Sequence, residues 1–202
     1  MMSKISVPDN EIWYYANNKV TLYTSSGVVS HEFADGKGVI VMSLKISTVG
    51  EQLMGTAITN VELPSGVTSI GSSAFNGCTR LALTSLPSGV TSIGSSAFEE
   101  CSNLALTSLP SGVTSIGSFA FRNCYNLALT SLPSGVTSIG YMSFGFCYAI
   151  KSLTIPISIP PTASEYSFYG TSFPIYVPSE SVDTYKAANG WSAYASRIFP
   201  IS

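Results

Sequence analysis

The chain has 202 residues, of which 45% are hydrophobic and only 10% charged, with a formal net charge of -2. That length holds one domain or a short array with end caps, and the lack of a basic stripe excludes nucleic acid as a partner. Mean hydropathy is +0.32, yet no apolar run approaches the ~18 residues needed to cross a bilayer, so the apolar excess belongs to a buried core.

The amino terminus reads Met1-Met2-Ser3-Lys4-Ile5-Ser6-Val7-Pro8, without the apolar segment and small-residue cleavage site of a secretory signal. A protein that stays inside, a mature or trimmed form, and export by another route all fit this reading. Residues 10–48 have the texture of β-structure. Residues 12–16 and 20–24 are strand-like around Asn17-Asn18, a short hairpin signal. Residues 28–33 and 39–42 flank a second turn at Asp35-Gly36-Lys37-Gly38. We expect residues 1–48 to form a β-rich capping unit on the first coil. An irregular coil follows, with Thr48-Val49-Gly50 standing where later units have Ser-Ile-Gly, and without their Phe and Cys. Terminal repeats are often atypical in this way.

From Pro64 the chain repeats. Residues 64–86 read PSGVTSIGSSAFNGCTRLALTSL, and three further units start at Pro87, Pro110 and Pro133 without gaps. Phe75, Phe98, Phe121 and Phe144 share one offset, as do Cys78, Cys101, Cys124 and Cys147, each 23 residues from the next. A fixed period in this range marks a solenoid whose units stack on one another. Pro-Ser-Gly reads as a turn, because Pro fixes φ and Gly permits φ > 0. Val67 and Ile70 anchor a short strand, Ala74, Phe75, Cys78 and Leu81 fall near helical spacing and predict one short helical turn, and Leu-Ala-Leu-Thr-Ser-Leu returns as extended chain. No unit buries its apolar side alone, so copies stack at the ~4.8 Å spacing of neighbouring parallel strands.

After Pro156 the pattern decays. Tyr166-Ser167-Phe168-Tyr169-Gly170 keeps a worn copy of the Ala-Phe turn without its Cys. Ser179 or Ser181 is expected to cap a short helix running to about Ala188, with Asn189-Gly190 ending it in the left-handed region. Trp191 and Tyr194 supply apolar area to seal the last coil. The expected division is a capping unit over 1–48, the solenoid over 49–172 and a carboxyl-terminal cap over 173–202.

The cysteines do not have metal-ligand spacing, and His31 is the single imidazole. Bridges between neighbouring copies would bend a regular stack, so a structural ladder of buried free thiols acting as small hydrophobes is expected. Neither a metal nor a cofactor is implied. Asp occurs only at 9, 35 and 183, and no serine sits in a Gly-x-Ser-x-Gly elbow, so no enzyme is indicated. The Thr68, Thr91, Thr114, Thr137 column and the Ser69, Ser92, Ser115, Ser138 column read as the watered side of strands. The units differ mainly around the Phe and Cys, where bulky residues gather toward the carboxyl end: Phe119, Tyr125, Tyr141, Met142, Phe146 and Tyr148. Exposed aromatic clusters mark interaction surfaces, and Phe119, Tyr125, Tyr141, Phe146 and Tyr148 form the candidate contact patch. The competing expectation is that these rings pack beneath the carboxyl-terminal cap.

The pattern Ile-Gly-x-x-Ala-Phe-x-x-Cys-x-x-Leu, followed by an apolar strand and Pro, resembles the leucine-rich repeats of the BspA-like bacterial family. The resemblance extends to residues 175–186 with Trp191, Arg197 and Ile198, similar to a terminal capping segment, and to residues 10–15 and 34–38, similar to the unit that precedes such arrays. One departure is visible: Ile150-Lys151-Ser152-Leu153-Thr154-Ile155-Pro156 has the family's Leu-x-x-Ile-x-Ile-Pro form, whereas the middle units read Leu-Ala-Leu-Thr-Ser-Leu-Pro. The resemblance implies a right-handed leucine-rich repeat solenoid of five or six coils, with 23-residue repeats, short parallel strands, a β-rich amino-terminal cap and a short-helix carboxyl-terminal cap. It also implies a non-enzymatic adhesion module, on a bacterial cell surface or secreted, that meets a protein or glycan. A structural spacer within a larger surface assembly and an intracellular scaffold are the alternatives.

Overall fold

A computed structural model describes residues 7–19, 28–42 and 46–202. Strand β1 (Glu11–Tyr15) turns Ile12 and Tyr14 inward, following its apolar alternation. Strands β2 (Val28–Ala34) and β3 (Lys37–Met42) form the second expected hairpin across Asp35-Gly36. Both turn residues have positive φ, +49° and +77°, the turn geometry whose twist suits paired strands. The strand expected over 20–24 lies outside the described residues. After β4 (Thr48–Val49) a 3-10 turn at Glu51–Leu53 leads into β5 (Asn60–Glu62). β1 pairs antiparallel with β3 on one edge and β5 on the other, giving the order β2-β3-β1-β5. The first coil is thereby stitched to the capping sheet. His31 shares a 2.6 Å hydrogen bond with the Tyr14 hydroxyl. Burial, and secondarily the Lys19 charge, hold its imidazole below the ordinary pKa.

The array then stacks β6 (Ser69–Ile70), β7 (Ser92–Ile93), β8 (Ser115–Ile116) and β9 (Ser138–Ile139) on β4 in one parallel sheet. Each Ile faces the Ile of the next unit. The glycine after each Ile permits this closeness: a Cβ on Gly94 would lie 2.6 Å from the Ser72 nitrogen and 2.7 Å from the Gly71 carbonyl carbon. Behind the sheet, Val, Ile, Ala, Phe, Cys and Leu form buried columns. Phe75, Phe98, Phe121, Phe144 and Phe168 stack face to face with centroids 5.3–5.6 Å apart.

The expected helical turn over Ala74 to Leu81 does not form. Tight turns replace it, with Asn76 N–H donating to Ser73 O (3.1 Å) and Cys78 N–H to Phe75 O (3.0 Å). Ser73 and Gly77 have φ of +55° and +72°, and the equivalent residues of the later units are also left-handed. A right-handed helix cannot pass through such residues. The reversals free alternate N–H groups for the next coil: Phe75 donates to Ala97 O and Gly77 to Glu99 O, both at 2.8 Å. The apolar spacing predicted the inward face correctly and the backbone wrongly.

The departure at Leu-Ala-Leu-Thr-Ser-Leu has a structural counterpart. In the middle coils Leu104, Leu106 and Leu109 point inward, whereas the later coil buries Ile150, Leu153 and Ile155. The second inward residue has moved by one position, and no strand forms over 105–109. Strands return on this side at β10 (Leu153–Thr154), which pairs with β11 (Ile175–Val177).

At the carboxyl end, Ser181 N–H donates to Pro178 O (2.9 Å) in a 3-10 turn over Ser179–Ser181, and helix α1 (Val182–Ala187) follows. Neither serine side chain caps it, contrary to expectation, because the turn opened by Pro178 leads directly into the helix. Gly190 does adopt the left-handed conformation, at φ +78°. Trp191 is fully buried, and its indole donates to Pro161 O at 2.7 Å. A 3-10 turn at Ser192–Arg197 then brings β12 (Ile198–Pro200) alongside β11. Phe168, the end of the Phe ladder, is closed over by Trp191 and Tyr194.

Candidate functional site

Cys78, Cys101, Cys124 and Cys147 are buried free thiols. They do more than fill space. Cys101 Sγ donates to Phe75 O, Cys124 Sγ to Phe98 O and Cys147 Sγ to Phe121 O, at 3.0–3.1 Å. Each of these carbonyls also accepts the N–H of its own coil's cysteine, so the thiol fills the second lone pair. Burial pushes all four thiols above their ordinary pKa, the opposite of what a nucleophile or ligand needs. Among the described residues no group of three or more His, Cys, Asp or Glu could hold a metal ion.

The exposed threonine column is also internally engaged. Thr91, Thr114, Thr137 and Thr162 each donate their hydroxyl to the carbonyl of the preceding column member, at 3.1–3.3 Å. The sequence reading assigned these hydroxyls to water and missed the ladder, although their constant offset was its signal.

The turn face changes character along the axis. Toward the amino end it is polar: Asn76 donates to Glu99 (3.1 Å), and Arg122 pairs with the same carboxylate, its Nε at 2.6 Å. Glu99 stands at an offset where the repeats vary, the same offset as Asn76 and Arg122. It is buried, because Asn76 and Arg122 close over it from the coils on either side. Toward the carboxyl end the face is aromatic. Phe119 meets Tyr141 edge-on at 5.3 Å, and Tyr141 meets Tyr166 at 5.3 Å. Tyr166 meets Tyr169 at 5.9 Å, Tyr169 meets Phe146 at 5.5 Å and Phe146 meets Tyr148 at 6.2 Å. Tyr148 stacks on Tyr125 at 5.7 Å. All five candidate residues therefore join one continuous strip of seven rings. Tyr166 and Tyr169, which the sequence reading took only as part of a worn repeat, are the links that close it. Their place one coil on from Met142 and Gly145 could have revealed them.

The strip does not lie beneath the carboxyl-terminal cap. Tyr125, Tyr141 and Tyr148 are 46%, 42% and 57% exposed. Two of its members sit on strained backbone: Phe119 and Phe146 have φ of +60° and +61°. The Phe119 position carries Ser73, Ser96 and Met142 in the other units, and the Phe146 position carries Gly77, Glu100 and Asn123; of these, Gly and Asn suit that conformation. Gly170, itself at φ +70°, leaves room for the Phe146 ring, since a Cβ there would lie 2.6 Å from it. Arg122 lies over the outer ring of the strip, 5.1 Å from the Phe119 centroid.

Short parallel strands, inward Leu, Ile and Phe columns and one exposed variable face define a leucine-rich repeat solenoid. Residues 50–174 match the family described as BspA type leucine rich repeat region, in six copies, and the chain belongs to that family. Among solved structures it is similar to a leucine rich cell surface protein from Faecalibacterium prausnitzii A2-165, with 31% identity, 77% of this chain and 41% of that one covered, and a TM-score of 0.57. It is also similar in fold to the T. pallidum leucine rich repeat protein, with 24% identity, 89% and 80% covered, and a TM-score of 0.59. The chain thus spans about two fifths of the length of the F. prausnitzii protein. No curated protein matches it. No helix among the described residues is long and apolar enough to cross a membrane.

Proposed function

We propose that the protein is a non-enzymatic binding module of a bacterial cell-surface or secreted protein, and that its aromatic strip is the contact surface for a protein or glycan partner. The observation that carries this reading is the strip itself: seven linked rings on the one face where the repeats vary. Solenoids suit the role because they present a long rigid surface. Tyr is among the residue types that dominate binding energy at interfaces, and Phe is enriched there. The resemblance to a cell surface protein supports the location.

The test is a glycan array and a host-matrix protein screen, run with the native chain and with Tyr125→Ser, Tyr148→Thr. Those replacements are the residues that Ser102 and Thr79 supply at the same offset, so the fold tolerates them. Binding should be lost with little change in melting temperature. A large drop in melting temperature with binding intact would overturn the proposal.

A spacer role is the second reading. It is favoured by residues 64–109, whose two units are nearly identical and whose threonine hydroxyls are held by backbone rather than offered outward. Fractionation of native cells separates both readings from an intracellular scaffold.

A further inference from the structure

The strip's geometry narrows what it takes; this step rests on the strip being the binding surface. Successive ring planes differ by 75°, 48°, 45°, 86° and 69°, and only the Tyr125–Tyr148 pair is near parallel, at 7°. A sugar chain lies flat on ring faces, and here the faces do not share a plane. Tilted and edge-on rings instead present faces and edges at several angles, the kind of aromatic surface on which proline-rich segments dock.

Three further observations agree. Phe119, Tyr141 and Tyr166 come from three successive coils, a span of two coil spacings or about 10 Å. One turn of polyproline II helix advances about 9 Å over three residues. Next, the hydroxyls of Tyr125, Tyr141, Tyr148, Tyr166 and Tyr169 make no hydrogen bond among the described residues. A polyproline II chain presents carbonyl acceptors with no internal partners, and proline brings no N–H to be left unsatisfied. Last is charge. The Arg122 guanidinium bordering the strip is already paired with Glu99. The exposed carboxylates of Glu100, one coil before Asn123, and Glu165, beside Tyr166, disfavour an anionic partner.

We propose that the aromatic strip binds an uncharged, proline-rich polypeptide segment in the polyproline II conformation. Prolines three apart pack against rings two coils apart, Phe119 and Tyr166, and the tyrosyl hydroxyls donate to the carbonyls between them.

The experiment titrates the full chain with dodecaproline and, separately, with cellohexaose, by calorimetry. Dodecaproline should bind saturably, with affinity reduced at least about tenfold by Tyr141→Ala and by Tyr148→Thr, the loss typical of a hot-spot ring. Thr68→Ser, on the threonine column outside the strip, should leave binding unchanged. Absence of saturable dodecaproline binding overturns the inference. So does cellohexaose binding that the same variants abolish, although the strip would then remain a binding surface. If dodecaproline binds and neither strip variant weakens it, both the inference and the role assigned to the strip fail.

Discussion

Ser143 and Ser167 occupy the same inward column as Ala74, Ala97 and Ala120, and both are fully buried. Their hydroxyls fare differently. Among the described residues Ser143 Oγ has no hydrogen-bond partner. Ser167 Oγ donates to Gly140 O (3.0 Å) and Ile139 O (3.3 Å) and accepts from Ser164 N–H (2.9 Å). Leaving a buried hydroxyl unpaired costs about 1–3 kcal/mol, partly offset by the packing its oxygen provides, so Ser143→Ala should stabilise by about 1 kcal/mol. For a chain of this size that raises the melting temperature by about 2–4 °C. Ser167→Ala removes one donor and one acceptor from satisfied partners and should cost about 1–2 kcal/mol, with the melting temperature falling. Circular dichroism melts of the two variants against the native chain read both signs in one experiment. A lower melting temperature for Ser143→Ala would show that its hydroxyl has a partner, and would refute the column argument.

Gly94→Ala forces a Cβ to 2.6 Å from backbone that cannot rotate away; it should cost about 2–4 kcal/mol through overpacking and a weakened Gly94–Ile70 hydrogen bond, read as a lower urea midpoint. Tyr15 donates to Glu62 at 2.5 Å, and this bond, then burial and the Glu62 charge, push its phenol up to about 12. Because the folded pKa is raised, the contribution is complete below the ordinary value of 10.0 and is lost as pH rises through about 12. Glu62→Gln should therefore bring the Tyr15 titration, followed by tyrosine-resolved NMR, back toward its ordinary range. Phe146→Asn should leave the melting temperature within a few degrees, since Asn suits φ > 0 and lost ring contacts offset the relief, whereas Phe144→Ala, two residues away and fully buried, should cost about 3–5 kcal/mol.

The solenoid was legible because stacking makes every inward residue answer to its own copies. A change at Ile93 must suit both Ile70 and Ile116, so the columns stay constant and the period shows. The hairpin at Asp35-Gly36 was legible because its two-residue turn needs positive φ at both positions. The helical turn over Ala74 to Leu81 was misread because apolar spacing reports which side chains are inward and not how the backbone places them. Ser73 carries no mark of its left-handed φ; the inter-coil bonds from Phe75 and Gly77 impose it. The Cys column illustrates the same limit. Its burial follows from composition, but its donation to the preceding Phe carbonyl depends on a contact 26 residues away in the chain. The aromatic residues could be picked out as departures from the repeat. Their joining was missed because an inserted residue shifts the period there, and only alignment of Phe168 on Phe144 sets Tyr166 and Tyr169 one coil on from Met142 and Gly145.

That shift bears on why the rings stand where they do. In a stack of near-identical coils, stability alone would place Gly or Asn at each left-handed position, as Gly77, Asn123 and Gly170 do. Phe119, Met142 and Phe146 occupy such positions instead, at a cost of about 1–2 kcal/mol each. Strain of this kind persists where neighbouring structure holds it and clusters at functional sites. All three residues belong to the third and fourth units, and the two aromatic ones join the strip. The first two units, where side chains on the same face are small or polar, carry Ser73, Ser96 and Glu100 at the same left-handed positions. Left-handed backbone is thus common to every coil; what sets the third and fourth apart is the bulky apolar and aromatic side chains placed on it, which packing alone does not require and which a surface kept for binding does.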